Sequence, residues 1–292
     1  MVLMALLYLP MPYFNYNGKL FTDNTAVIGA ANRGLRYGDG LFETIKCIND
    51  QLLLADEHFA RLWKGMGILQ FDIPKHFTPD KLEEAIIALA KKNGHEAAAR
   101  VRLTVTRGDG GLYDAINHFP NYSIETWALI NSDTKKAALN SNGLVLGIYT
   151  EVKKSCDILS NLKHNNYLPY VMAALFAKKQ KWNDAIVLNS EGRIADTTIA
   201  NIFMIKDRQV FTPALEEGCV AGVMRKAVIE QLKVDSWQLT EKPVTIEDIM
   251  NADEIFLTNS IYDIRWVQRI EHKEYGSAIT QKIYTAILPT IC

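Results

Sequence analysis

The chain has 292 residues, 48% hydrophobic and 22% charged, enough apolar content for two domains with buried cores. Its 32 Lys plus Arg against 33 Asp plus Glu give a formal charge of -1, which leaves no broad positive field for nucleic acid or an anionic membrane. Cys47, Cys156, Cys219 and Cys292 lie far apart with no C-x-x-C spacing, which excludes a dense disulfide framework or a paired-thiolate zinc site and fits a reducing cytoplasm.

The opening MVLMALLYLPMP is apolar but shorter than a membrane span, with no basic residue before it and no small-residue cleavage site after it, so it does not read as a signal peptide. Translation is expected to start at Met11, or residues 1–10 to form a loose arm. Turn-and-strand patterning begins at Tyr13 and runs to Phe21, followed by a strand from Glu43 to Ile48, a turn at Asn49-Asp50 and a strand from Gln51 to Leu54. Asp56 is expected to cap a helix from Glu57 to Met66, and DKLEEAIIALAKKNG has helical spacing that ends in a glycine suited to a left-handed stop. ARVRLTVTRG then reads as a strand.

NSDTKKAALNSNG is polar, rich in small residues and without apolar periodicity, which marks a linker. The expected division is an N-terminal α+β domain over 1–132, a linker over 133–143, and a C-terminal α+β domain over 144–292. In the latter, GLVLGIYTE, AIVLN, IANIFMI and EIFLTN read as strands, while HNNYLPYVMAALFAKKQ, with Pro169 near its first turn, and AGVMRKAVIEQLK read as helices. No repeat, low-complexity tract or transmembrane-length run interrupts this α+β pattern, so two domains with a cleft between them are expected.

Three positions stand out chemically. Lys163 lies in SNLKHNNYL, just before a helix, where a strand-to-helix turn is expected to expose its amine. Gly222 opens the helix of AGVMRKAV, so the Val223 and Met224 amides and the positive helix end face an anion. Arg61 follows His58 by three residues on one helix face, and a guanidinium grips phosphate through a planar fork. Alone, Lys163 reads as a surface lysine and Arg61 as a solvated helix residue.

Taken together and in order, NRGLRYGDGLFETIK, DEHFARL, LKHNNYL, EGRIADTTIANIF, FTP, AGVMR and EIFLTNS resemble the class IV aminotransferase family, the fold type IV enzymes of pyridoxal 5'-phosphate (PLP), from about residue 13 to 270. The resemblance implies a two-domain α+β fold with PLP in the interdomain cleft, and a homodimer. It implies that Lys163, in the C-terminal domain, holds the cofactor as a Schiff base and shuttles the proton. It places the phosphate on Arg61, on Gly222, Val223 and Met224, and on Ser260; Tyr167 matches a tyrosine that bonds the ring hydroxyl, and Tyr37 and Phe42 line the substrate side. The acid opposite the ring nitrogen, usually glutamate in this family, falls on Asp196, one methylene shorter.

Within the family, LKHNN, GVMR and TNS resemble 4-amino-4-deoxychorismate lyase, which releases pyruvate to form 4-aminobenzoate for folate; many transaminases have threonine at Met224 and glycine at Asn259. RGDGG also resembles a lyase segment, although the glycine-tyrosine expected next is replaced by GLYD. A branched-chain or D-amino-acid aminotransferase is the alternative, and a non-catalytic PLP-fold binding module the remote one. His164 adjoins the lysine but points elsewhere, so packing is its expected role. Arg102 and Arg107, five positions apart, share a strand face only across a bulge, so at most one is expected to clamp a substrate carboxylate.

Overall fold

The computed structural model describes residues 13–129 and 139–291; the expectations for residues 1–10 and for most of the linker lie outside them. Among the described residues, contacts divide the chain into a first unit, up to residue 129 together with Lys163–Asn166, and a second unit of residues 139–162 and Tyr167 onward.

The first unit is built on an antiparallel sheet of β1 (Tyr13–Tyr16), β2 (Lys19–Thr22), β3 (Gly40–Ile48), β4 (Gln51–Leu52), β5 (Ala98–Thr106) and β6 (Asn121–Ala128), in the order β2-β1-β6-β5-β3-β4. Asn49 and Asp50 have φ of 47° and 64°, the paired left-handed conformation that closes a two-residue hairpin. β5 runs beside β3 from Gly40↔Thr106 to Ile48↔Ala98 without a register break. The helices Ala55–Ile68 and Pro79–Lys92 bury Phe59, Leu62 and Met66, and Leu82, Ile86 and Leu89, at three- and four-residue spacings. Asp56 is not the cap that was expected. The helix starts two residues earlier, Leu54 at φ 55° precedes it, and Asp56 and Glu57 sit in the first turn, where they face the positive helix end.

Lys163–Asn166 belongs to this unit because its main chain is tied to the start of β3: Phe42 N donates to Lys163 O at 2.9 Å and Asn165 N to Gly40 O at 3.0 Å. Chain order had assigned the lysine to the C-terminal domain; these main-chain bonds group it with the first.

The second unit holds a nine-stranded mixed sheet, with β7 (Leu144–Lys154), β8 (Asp184–Asn189), β9 (Ile194–Thr197), β10 (Asn201–Lys206), β11 (Gln209–Pro213), β12 (Leu239–Lys242), β13 (Glu254–Asn259) and β14 (Asp263–Ile270) in the order β12-β11-β10-β13-β14-β7-β8-β9, and β15 (Lys273–Glu274) on β14. β8 is buried at every position, as expected of a strand covered on both faces. Helix Leu168–Gln180 buries Tyr170, Ala173 and Ala177, with Pro169 in its first turn. Gly147 on β7 is required by Trp182: a Cβ there would lie 1.6 Å from the indole ring. β9, β11, β12, β14 and the closing helix Ala278–Ile291 have no counterpart in the sequence reading. No described helix is long and apolar enough to cross a membrane, and no cluster of three or more metal-ligating side chains occurs among the described residues.

Candidate active site

In the first unit, β3 and the helix that follows it build a buried charge cluster. Glu43 and His58 are almost fully buried, and Arg61 reaches Glu43 with both Nε, at 2.8 Å, and Nη2; His58 Nδ1 lies 2.7 Å from the same carboxylate. Burial alone would push the Glu43 carboxyl up, but the Arg61 guanidinium and then His58 outweigh it and hold it at about 2. Arg61 is thereby fixed in direction as well as charge. Beside this cluster, the Lys163 amine lies 4.5 Å from the Phe42 ring centroid, and the Arg102 guanidinium lies 4.0 Å from the same ring. Phe42, Lys163 and Arg102 thus gather at one end of β3.

In the second unit, Asp196 on β9 is the centre. Its Oδ2 accepts from Tyr170 Oη at 2.9 Å, from the Val220 amide at 3.0 Å and from Lys154 Nζ at 3.2 Å, while Lys154 also donates to the Tyr170 hydroxyl oxygen. Oδ1 is buried and has no partner. Burial, then the Asp196 charge, raise the Tyr170 hydroxyl well above its ordinary range, so it stays protonated as a donor. The Tyr167 and Tyr170 rings pack at 4.4 Å, and the Tyr167 hydroxyl donates to Thr198 O at 3.4 Å.

Two residues beyond Val220, Gly222 opens helix Val223–Val234 with no side-chain cap. A Cβ on Gly222 would fall 2.0 Å from Asn201 Oδ1, and Asn201 is itself pinned through Nδ2 to Val220 O at 2.9 Å. Only glycine brings the helix end this close to β10, leaving its first amides directed outward. Asn201 pairs with Thr258 on β13, so Ser260, in the turn after β13, lies at the same end of the sheet. Asn259 shapes that turn, its Oδ1 accepting from Ile261 N at 3.0 Å and Tyr262 N at 2.8 Å.

Residues 40–270 match the amino-transferase class IV family. This chain belongs to that family. It is 30% identical over 250 residues to an aminodeoxychorismate lyase of Vibrio harveyi, covering 83% of this chain and 87% of the relative. It is 28% identical to a putative branched-chain-amino-acid aminotransferase of Methanocaldococcus jannaschii, covering 91% and 92%. The fold matches the branched-chain amino acid aminotransferase of Escherichia coli with a TM-score of 0.84 at 23% identity, over 96% of this chain and 94% of that one. The two-unit α+β architecture is therefore the class IV amino-transferase fold, and the chain is an enzyme of that family.

For this family member, the structure brings Lys163, Phe42 and Arg102 together, Arg61 with Glu43, and Asp196 with Val220, Gly222 and Tyr167. Arg107 is placed differently from the clamp considered for it. β5 ends at Thr106 without a bulge, and Arg107 turns inward to Asp39, Leu69 O, Gln70 O and His118 Nδ1. Burial would raise the Asp39 carboxyl, but Arg107 and Arg33 outweigh it and hold it below the ordinary range. Tyr37 ends the short helix Arg33–Tyr37, is 38% exposed, and has the Arg33 guanidinium 5.5 Å from its ring.

Sequence reasoning missed Lys154, Tyr170, Glu43 and Asp184. Lys154 lies beyond the expected strand GLVLGIYTE; the register of β7 on β8 shifts between Tyr149 and Lys153, and Lys154 is buried. Asp184 accepts from the hydroxyls of Thr197 and Thr198 at 2.8 and 2.6 Å and so holds the chain just after Asp196. Burial raises its carboxyl despite those bonds.

Proposed function

We propose that the chain binds PLP on Lys163 and acts as a 4-amino-4-deoxychorismate lyase, releasing pyruvate and forming 4-aminobenzoate. The observation that carries the cofactor reading is the Asp196 carboxylate, whose Oδ2 takes three donors while its buried Oδ1 takes none. A buried acceptor left open is costly unless a donor meets it, and a ring N–H is such a donor. The Gly222 helix start, which has no side-chain cap and where a Cβ would strike Asn201 Oδ1, offers its amide donors to a phosphate.

When bound, PLP supplies an aldehyde for the substrate amine and a ring that takes up the electron pair of a broken C–H bond. The residues of this chain do the rest. The Lys163 amine, released by the incoming amine, removes the proton from the adjacent carbon and returns it, in its role as base and then acid. Arg61 takes the phosphate with a guanidinium already oriented by Glu43, and the Val223 and Met224 amides and the Ser260 hydroxyl supply further donors. Tyr167 is assigned the ring hydroxyl, and Tyr37, Phe42, Arg102 and Asn259 the substrate side. A cytoplasmic homodimer is the expected working form, on the family resemblance.

The lyase reading is favoured by LKHNN, GVMR and TNS and by the 30% identical relative. The aminotransferase reading is favoured by the M. jannaschii relative, which matches over more of this chain. Incubation with aminodeoxychorismate, and separately with L- or D-amino acids plus 2-oxoglutarate, separates them. Pyruvate and 4-aminobenzoate released without an amino acceptor support the lyase; 2-oxo-acid formation with no 4-aminobenzoate rejects it.

A further inference from the structure

The acid expected to face the ring nitrogen does not stand alone. Lys154 Nζ forms an ion pair with Asp196 Oδ2 at 3.2 Å, and Tyr170 bridges the two, accepting from the lysine and donating to the carboxylate. Lys154 is 8% exposed and Asp196 2%, so solvent screens this pair little. The other groups around it are Tyr167 and Cys219, and beside Cys219 Arg225, whose Nη2 donates to Glu241 and Pro213 O. Burial, the largest effect, pushes the Cys219 thiol up to about 12, which leaves it neutral. Among the described residues, Lys154 is the cation in direct contact with Asp196.

All three donors converge on one oxygen. That has two consequences. The short aspartate side chain is locked with Oδ1 presented to whatever lies opposite, which offsets the freedom a carboxylate gains when it is held at one end only. The charge that Oδ1 offers is also already countered from behind, so a basic ring nitrogen facing it gains less from becoming protonated than it would against an unpaired carboxylate.

We propose that Lys154 is a positioning residue that sets the protonation of the cofactor's ring nitrogen through Asp196, with Tyr170 as the second member of the clamp. This rests on the reading that PLP is bound with its ring nitrogen at Asp196. Lys154 lowers the proton affinity of that nitrogen, and removing its charge shifts the ratio of protonated to neutral ring by roughly tenfold toward the protonated form. The weaker electron sink that results suits a reaction in which the ring need only stabilise charge briefly before a neighbouring bond expels its leaving group.

The test uses the full-length enzyme loaded with PLP carrying ¹⁵N in the ring, and reads the ¹⁵N chemical shift against pH. First, the wild type must show a visible absorption band that Lys163→Ala removes; its absence would overturn the cofactor reading and this inference with it. Given that band, Lys154→Met is expected to move the ¹⁵N signal toward the protonated ring at a given pH, while Lys154→Arg, which keeps the charge, stays at the wild-type position. An unchanged signal in Lys154→Met, or an equal displacement in Lys154→Arg, overturns the proposal while leaving PLP binding intact. Should Lys154→Met not fold, Tyr170→Phe decides: it removes one donor from Oδ2, keeps the ion pair, and should give a smaller displacement in the same direction. No displacement there overturns the proposal equally.

Discussion

Arg61 presents Nε and Nη2 to the two oxygens of Glu43, a fork on a carboxylate that is 1% exposed. Such a pair fixes the plane of the guanidinium but makes the unit depend on both charges. Glu43→Gln keeps the shape and removes the buried negative charge that faces the part-buried guanidinium. It should lower unfolding free energy by about 3 kcal/mol and weaken PLP uptake, measured by urea unfolding of the cofactor-free protein and by titration with PLP.

The same pair carries a pH signature. Glu43 is held at about 2 against an ordinary 4.5, so the unfolded chain binds its proton first on acidification. The stability it contributes is therefore full above pH 4.5 and is lost as pH falls from there toward 2. A depression of this size corresponds to roughly 3 kcal/mol. Denaturant midpoints measured across this range should fall more steeply for the wild type than for Glu43→Gln.

Gly222→Ala places a methyl group against Asn201 Oδ1 and displaces either the helix end or the Asn201–Val220 bond. PLP affinity should drop by about tenfold, equivalent to ~1.4 kcal/mol. Adding Asn201→Ala to Gly222→Ala should cost less than the sum of the two single changes, because the clash is already relieved. A double-mutant cycle on PLP binding measures this; strict additivity would sever the two residues.

Arg107 is a discriminating position. Its guanidinium meets Asp39, Leu69 O, Gln70 O and His118, so Arg107→Met leaves two carbonyls without this donor and Asp39 with Arg33 alone. Stability should fall by about 3 kcal/mol, with KM changing less than fivefold. Arg102→Met should show the reverse, a raised KM with stability within about 1 kcal/mol of wild type. Thermal unfolding and steady-state kinetics on both variants decide which arginine serves substrate.

Local patterns were readable because they depend only on neighbours in the chain. Pro169 in a first turn, the Asn49-Asp50 hairpin, the capless Gly222 helix start and the buried run of β8 all follow from backbone preference and apolar spacing. β9, β11 and β12 did not show themselves, being four or five residues long and too short for a period to emerge. Asp56 was misread as a cap because its side chain suits that role, whereas Leu54 takes it through a left-handed backbone that composition does not reveal.

Sequence by itself determined the family and singled out Lys163, Arg61, Gly222 and Asp196 as candidates, since these lie in ordered motifs along one chain. Only tertiary structure decided what those residues lean on. Glu43 behind Arg61, Lys154 and Tyr170 behind Asp196, Asp39 beside Arg107, and the bonding of the Lys163 carbonyl to β3 are contacts across many residues of sequence. Burial and long-range pairing set the charge and direction of these groups, and neither is a property of a residue's neighbours in the chain.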